Sequence, residues 1–107
     1  MKQSVPHDLS LDLARQAAVA ALADYAARFP AANIRATWSG PYAATVALTV
    51  KGFTLQPRVA IRAGAIDVDV DIPLLARPFE GKARARIERE LAMWVERART
   101  GQRGAAV

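Results

Sequence analysis

Three sets of residues in this chain could do chemistry. Asp67, Asp69 and Asp71 stand at alternate positions, a spacing that puts all three carboxylates on one face of a strand, where they could gather a hard cation. His7 is the single histidine and the one side chain suited to act as a general base near neutral pH. Lys82, Arg86 and Arg89, followed by Met93, recur at helical spacing and would form one cationic stripe with a large apolar side chain at its end. Such a stripe suits an anionic partner: nucleic acid, lipid headgroups or an acidic protein. Each set also has a plainer reading. Arg58 and Arg62 fall beside the aspartates once the strands are paired, so salt bridges are the expected use of that face. His7 lies in an N-terminal segment expected to be mobile, where a Ser–His–acid or Cys–His arrangement is hard to build, so it reads as structural or incidental rather than as a base. The cationic stripe also fits a solvated helix face that keeps the protein in solution.

The composition removes several classes. The 107 residues suffice for one domain with a single core, taken as residues 1–107. There is no cysteine, which excludes disulfides and thiolate metal sites, and no zinc spacing is present. Gly40, Gly52 and Gly64 are spaced as hairpin turns, not as a phosphate-binding loop. The N-terminus lacks the apolar stretch of a secretory signal, and the alanine-rich run after it is broken by Asp12, Arg15, Asp24 and Arg28. A soluble, cytoplasmic protein without a transmembrane segment is expected. The formal charge is +5, and from Arg77 onward eight basic residues face four acids. The basic excess is therefore concentrated in the last helix.

The elements that position these residues follow from periodicity. Ser10 is placed as a helix N-cap with Asp12 in the first turn, and the helix runs to about Arg28, where Pro30 ends it. Its inward face is Leu11, Ala14, Ala18, Ala21, Leu22, Tyr25 and Phe29. Ile34 to Trp38 and Ala44 to Val50 alternate as strands, separated by the turn residues Ser39, Gly40 and Pro41. A third strand places Phe53, Leu55, Pro57, Val59 and Ile61 on its dry face, and a fourth does the same with Ile66, Val68, Val70 and Ile72.

The register of the meander follows by arithmetic. A Lys51-Gly52 turn sets Val50 opposite Phe53, Leu48 opposite Leu55 and Val46 opposite Pro57. An Ala63-Gly64 turn sets Ile61 opposite Ile66, Val59 opposite Val68 and Arg58 opposite Asp69, with Arg62 diagonal to Asp67. A slip of one residue would break both patterns. Pro57 cannot donate a ladder hydrogen bond and calls for a bulge or an unpaired position.

After Pro73 the chain turns, and Pro78 fits the first position of a second helix. Its stripe is Leu75, Phe79, Ala83, Ile87, Leu91, Trp94, Val95 and Ala98. The predicted fold is α+β, a two-layer sandwich in which a four-stranded antiparallel meander carries an N-terminal and a C-terminal helix on one face, in the order α-β-β-β-β-α. The ordered core is expected over residues 8–99, with residues 1–7 and 100–107 flexible. The first strand is expected at an edge, where it permits a homodimer.

Four local patterns then combine. They are Val5-Pro6-His7-Asp8-Leu9 with Ala14-Arg15; Trp38-Ser39-Gly40; the run from Ile66 to Pro73; and Leu74-Leu75-Ala76-Arg77-Pro78-Phe79, followed by Ile87 and Leu91. Over roughly residues 5 to 95 the chain resembles the polyhydroxyalkanoic acid system proteins, small bacterial proteins linked to polyester granules. It departs from their pattern in the alanine-rich stretch after Gly40 and at Pro57. The resemblance implies a non-enzymatic accessory of polyester storage at the granule surface and supplies no catalytic residue, metal or cofactor.

Three uses of the chain remain in view. One is docking to a granule surface or a granule protein through Lys82, Arg86, Arg89 and Met93. Another is binding of a small hydrophobic ligand in a cavity between the alanine-rich helix and the sheet. The last is non-specific contact with a nucleic acid backbone. Specific nucleic acid recognition is not expected, because the wet sheet face carries aspartates and lacks stacking aromatics.

Overall fold

The computed structural model describes the backbone of residues 1–106 and the side chains of residues 1–101. Its elements are β1 (Lys2–Pro6), α1 (Leu11–Arg28), β2 (Arg35–Gly40), β3 (Ala43–Val50), β4 (Phe53–Leu55), β5 (Arg58–Arg62), β6 (Ala65–Asp69) and α2 (Glu80–Ala106). Short 3₁₀ turns at Pro30–Ala32 and Leu74–Phe79 precede β2 and α2. The strands run in the order β1-β6-β5-β3-β2, with β4 paired to β3, and all pairings are antiparallel.

The α+β class and both hairpins agree with the sequence. Leu48 faces Leu55 and Val50 faces Phe53 about a turn in which Lys51 and Gly52 both have positive φ, 51° and 81°. That backbone twist matches the strands it joins. Ile61 faces Ile66 and Val59 faces Val68 about the Gly64 turn. Pro57 divides the expected third strand into β4 and β5, because it has no N–H to give the ladder. The register survives the interruption: Thr45 still faces Arg58, and the Val46 N–H donates to the Pro57 carbonyl at 2.8 Å.

The sheet has six strands rather than four, and the chain starts with one of them. The expectation of a flexible segment at residues 1–7 is thereby overturned. β1 lies along β6, with Val5 opposite Ile66 and Gln3 opposite Val68. The Met1 ammonium donates to the Val70 carbonyl at 2.7 Å, and the Val70 N–H donates to the Met1 carbonyl at 2.9 Å. Without β1, the outer edge of β6 would leave its backbone groups unpaired. At the other end α2 continues to Ala106, past Thr100 where fraying is expected. Val107, and the side chains beyond Gly101, lie outside the described residues.

α1 starts where its capping residue predicts: the Ser10 hydroxyl accepts from the Leu13 N–H at 3.2 Å. Ala14, Ala17 and Ala18 are fully buried and let the helix sit close to the sheet, while Phe29 at its end is exposed. α2 lies alongside in the opposite direction. Asp8 before α1 meets Arg99 late in α2, and Tyr25 and Arg28 late in α1 meet Arg86 and Glu90. Both helices cover the same sheet face, around a core centred on Ile66, Val5 and Val46. α2 also crosses β1, where the Gln3 side-chain amide donates to the Arg84 carbonyl at 2.9 Å.

The entry to α2 differs from the sequence reading. Pro78 lies inside the 3₁₀ turn, and α2 starts only at Glu80. Leu75 therefore does not join the buried stripe. It is 80% exposed, with Leu74 beside it at 74%. The tight 3₁₀ pitch rotates both leucines off the line that an α-helix would give them.

Candidate functional site

The apolar faces of the two layers do not close along their whole length. Where α1 contributes alanine the layers touch, and beyond Ala18 they separate into a groove of about 500 Å³. Its floor is Val46, Leu48, Val59, Val68 and Val70. Its helical walls are Ala21, Leu22 and Tyr25 from α1 and Ala83, Ile87 and Leu91 from α2. The far end of β3 with β4 extends the floor through Val50, Phe53 and Leu55. Among the described residues neither helix packs closely on β4, so this hairpin forms a flap with a bare apolar underside. The volume falls within the range of small-molecule sites.

The charged side chains of the lining are Lys51, Glu80, Lys82, Arg86 and Glu90, and the Met1 ammonium is bonded to the Val70 carbonyl. Lys51 at the flap tip lies over the Phe79 ring, 4.3 Å from its centroid, so the flap and the 3₁₀ turn meet at the mouth. Such an exposed cation–π contact contributes only about 0.5–1 kcal/mol and makes a weak latch. Lys82 follows Phe79 by one turn, and Arg86 follows Lys82 by another. Arg86 is engaged: it donates to the Tyr25 hydroxyl at 3.3 Å and lies 5.3 Å from the Phe29 ring. Two carboxylates also reach the rim, Glu80 and Glu90, and Glu90 is held by Arg28 at 2.8 Å. Its hydrogen bond raises the Arg28 pKa. A second hollow of about 220 Å³ lies between α1 and β2, against Trp38.

The four residues of the cationic stripe are thus divided. Lys82 and Arg86 border the groove, whereas Arg89 and Met93 lie farther along α2, exposed. The groove's continuity could not be read from the sequence. The small side chains of α1 were its one visible sign.

The other two sets are spoken for by structure. The Asp67 carboxylate accepts from Arg62 at 2.7 Å and from the Ser4 hydroxyl at 2.6 Å, and these bonds, Arg62 first, hold it below the usual carboxylate range. Asp69 pairs with Arg58 at 3.1 Å. Among the described residues no three His, Cys, Asp or Glu side chains come together as a metal site. His7 is buried, with Nδ1 accepting from the Leu9 N–H and Nε2 bonded to the Arg62 carbonyl.

An antiparallel sheet with two helices on one face, opening into a largely apolar groove, defines a small α+β domain. Residues 2–94 match the family model described as "Putative polyhydroxyalkanoic acid system protein". The chain belongs to that family, in agreement with the four patterns read from the sequence. Its description ties the family to the polyhydroxyalkanoic acid system. No curated protein and no solved structure matches the chain. Among the described residues no helix is long and apolar enough to cross a membrane.

Proposed function

We propose that the protein is a non-enzymatic accessory of polyhydroxyalkanoate metabolism that works by holding apolar material in the groove between its helices and sheet. The groove itself carries this reading: a volume of about 500 Å³ lined mostly by aliphatic and aromatic side chains. Each methylene a ligand buries there contributes about 0.8 kcal/mol, so a chain of several carbons binds without any polar contact to the interior. The engagement of His7 with backbone groups and of Asp67 and Asp69 with arginines further favours binding over catalysis. Uptake of a solvatochromic apolar fluorophore tests this. Wild type enhances its emission, and Ala83→Phe, which fills the groove from α2, abolishes the enhancement while the far-UV spectrum is retained. Uptake unchanged in Ala83→Phe overturns the reading.

A second reading is docking at a polyester granule surface in the cytoplasm. The adjacent exposed leucines favour it, because Leu74 and Leu75 belong to the 3₁₀ turn whose Ala76 and Phe79 line the groove. Lys82, Arg86, Arg89 and Met93 would widen that contact. Co-sedimentation with granules across a salt series, with DNA as a control, tests it: binding lost on charge reversal of Lys82, Arg86 and Arg89 supports docking, and absence of binding at low salt overturns it.

A further inference from the structure

We infer that the groove takes a linear acyl chain with one anionic end group, its tail along the sheet floor and its anion between Lys51 and Lys82. The inference rests on the groove being a ligand site and adds the class of ligand.

The shape of the groove selects a chain over a compact ring system. Its floor follows β3, from Val46 under the helices to Val50 at the edge of the flap, and branched side chains line both sides. An interior without polar groups offers nothing to hydroxyls, amides or a second charge, each of which would lose its hydration uncompensated. Polarity in the ligand must therefore sit at one end, at the rim.

The rim fixes the sign of that end. Of the cations that line the groove, the Met1 ammonium is bonded to the Val70 carbonyl and Arg86 is committed to Tyr25, whereas Lys82 makes no ion pair or hydrogen bond among the described residues. Lys51 lies on the Phe79 ring and has no carboxylate partner there. Glu90 is neutralised by Arg28, which leaves Glu80 as the one opposing carboxylate. Both lysines line the groove, one on the flap and one on α2 a turn beyond the Phe79 ring that Lys51 covers, and a carboxylate between them would replace a weak ring contact with two charge-assisted hydrogen bonds. The flap would then close over the chain as its anion is bound.

The test compares dodecanoate with dodecan-1-ol, which share a tail and differ in the end group. Each displaces the apolar fluorophore from the full-length protein at pH 8, below its micelle concentration. Dodecanoate is expected to displace at about tenfold lower concentration, with the advantage fading as salt rises. In Lys51→Asn/Lys82→Gln the two ligands should become equal. Asn tolerates the left-handed backbone at position 51, and both sites are exposed, so the thermal midpoint should fall by no more than a few degrees, through loss of the Lys51–Phe79 contact. Equal displacement by both ligands in wild type overturns the anionic end group and leaves the groove reading intact. A dodecanoate advantage that persists in the double variant overturns the assignment to these lysines. A fluorophore that never enters overturns both the ligand class and the groove reading.

Discussion

The His7 imidazole bridges two parts of the chain that lie 55 residues apart. Nδ1 accepts the Leu9 N–H at 3.1 Å, so the proton sits on Nε2, which donates to the Arg62 carbonyl at 2.9 Å. The His7 N–H also donates to the Gly64 carbonyl at 2.9 Å. The side chain thus ties the β1–α1 junction to the β5–β6 turn.

Replacing His7 with Ala removes its bonds to the Leu9 N–H and the Arg62 carbonyl at a site 8% exposed. The expected loss is about 2–3 kcal/mol of unfolding free energy, read from urea denaturation at pH 7. A loss below about 0.5 kcal/mol would mean that water replaces both bonds.

Asp67 makes the β1–β6–β5 region sensitive to acid. Arg62, and then Ser4, lower its pKa by hydrogen bonding to the charged form. A carboxyl depressed in the folded state contributes stability above its unfolded pKa, about 3.9, and that contribution is lost as pH falls through the lower folded value. Asp67→Asn should therefore cost stability at pH 7 and flatten the acid limb below pH 4. The effect is small, because the pair is partly exposed. Thermal unfolding of both proteins from pH 7 to pH 2 measures it.

Gly64 has φ +88°, and nothing lies within 4 Å of where a Cβ would stand. Gly64→Ala therefore meets no clash, and its cost is that of the left-handed backbone, about 1–2 kcal/mol. A lower thermal midpoint with an unchanged urea m-value would separate this from a rearranged hairpin.

Leu74 and Leu75 are exposed, so Leu74→Ser/Leu75→Ser should leave unfolding free energy within about 0.5 kcal/mol of wild type. If these side chains anchor the protein to a granule, the same variant should lose most of its co-sedimentation. Fluorophore uptake by the groove should be retained, which separates surface docking from ligand binding.

What could be read from the sequence depended on how local the determinant is. The hairpins at Lys51-Gly52 and Ala63-Gly64 were legible because turn chemistry and period-two alternation agree within a dozen residues. The pairing of Arg58 with Asp69 and of Arg62 with Asp67 followed from that register. β1 was hidden because two of its inward-facing positions, counting His7 just beyond it, hold polar residues, Gln3 and His7, and each bonds a backbone carbonyl more than fifty residues away. Leu75 misled for a different reason. Its spacing fits the α2 stripe, but the Pro73 and Pro78 frame imposes a 3₁₀ turn that rotates it outward. The groove had one local sign, the alanines of α1, which suggested a cavity against the sheet but not its extent. It arises where the alanine contact of α1 gives way and the β3–β4 flap has no helix above it.

The placement of β1 has a consequence for how the chain is made. Lys2–Pro6 leaves the ribosome well ahead of its partner Ala65–Asp69, which follows some sixty residues later, and of Arg84, which receives the Gln3 amide, later still. During synthesis the opening segment therefore has no template and must stay unpaired until β6 is out. The β2–β3–β5 hairpins can assemble meanwhile, since their contacts are short in sequence. Sealing the sheet edge is thus the last event before α2 closes over it, and a pause in translation ahead of β6 would leave the strand available to other chains.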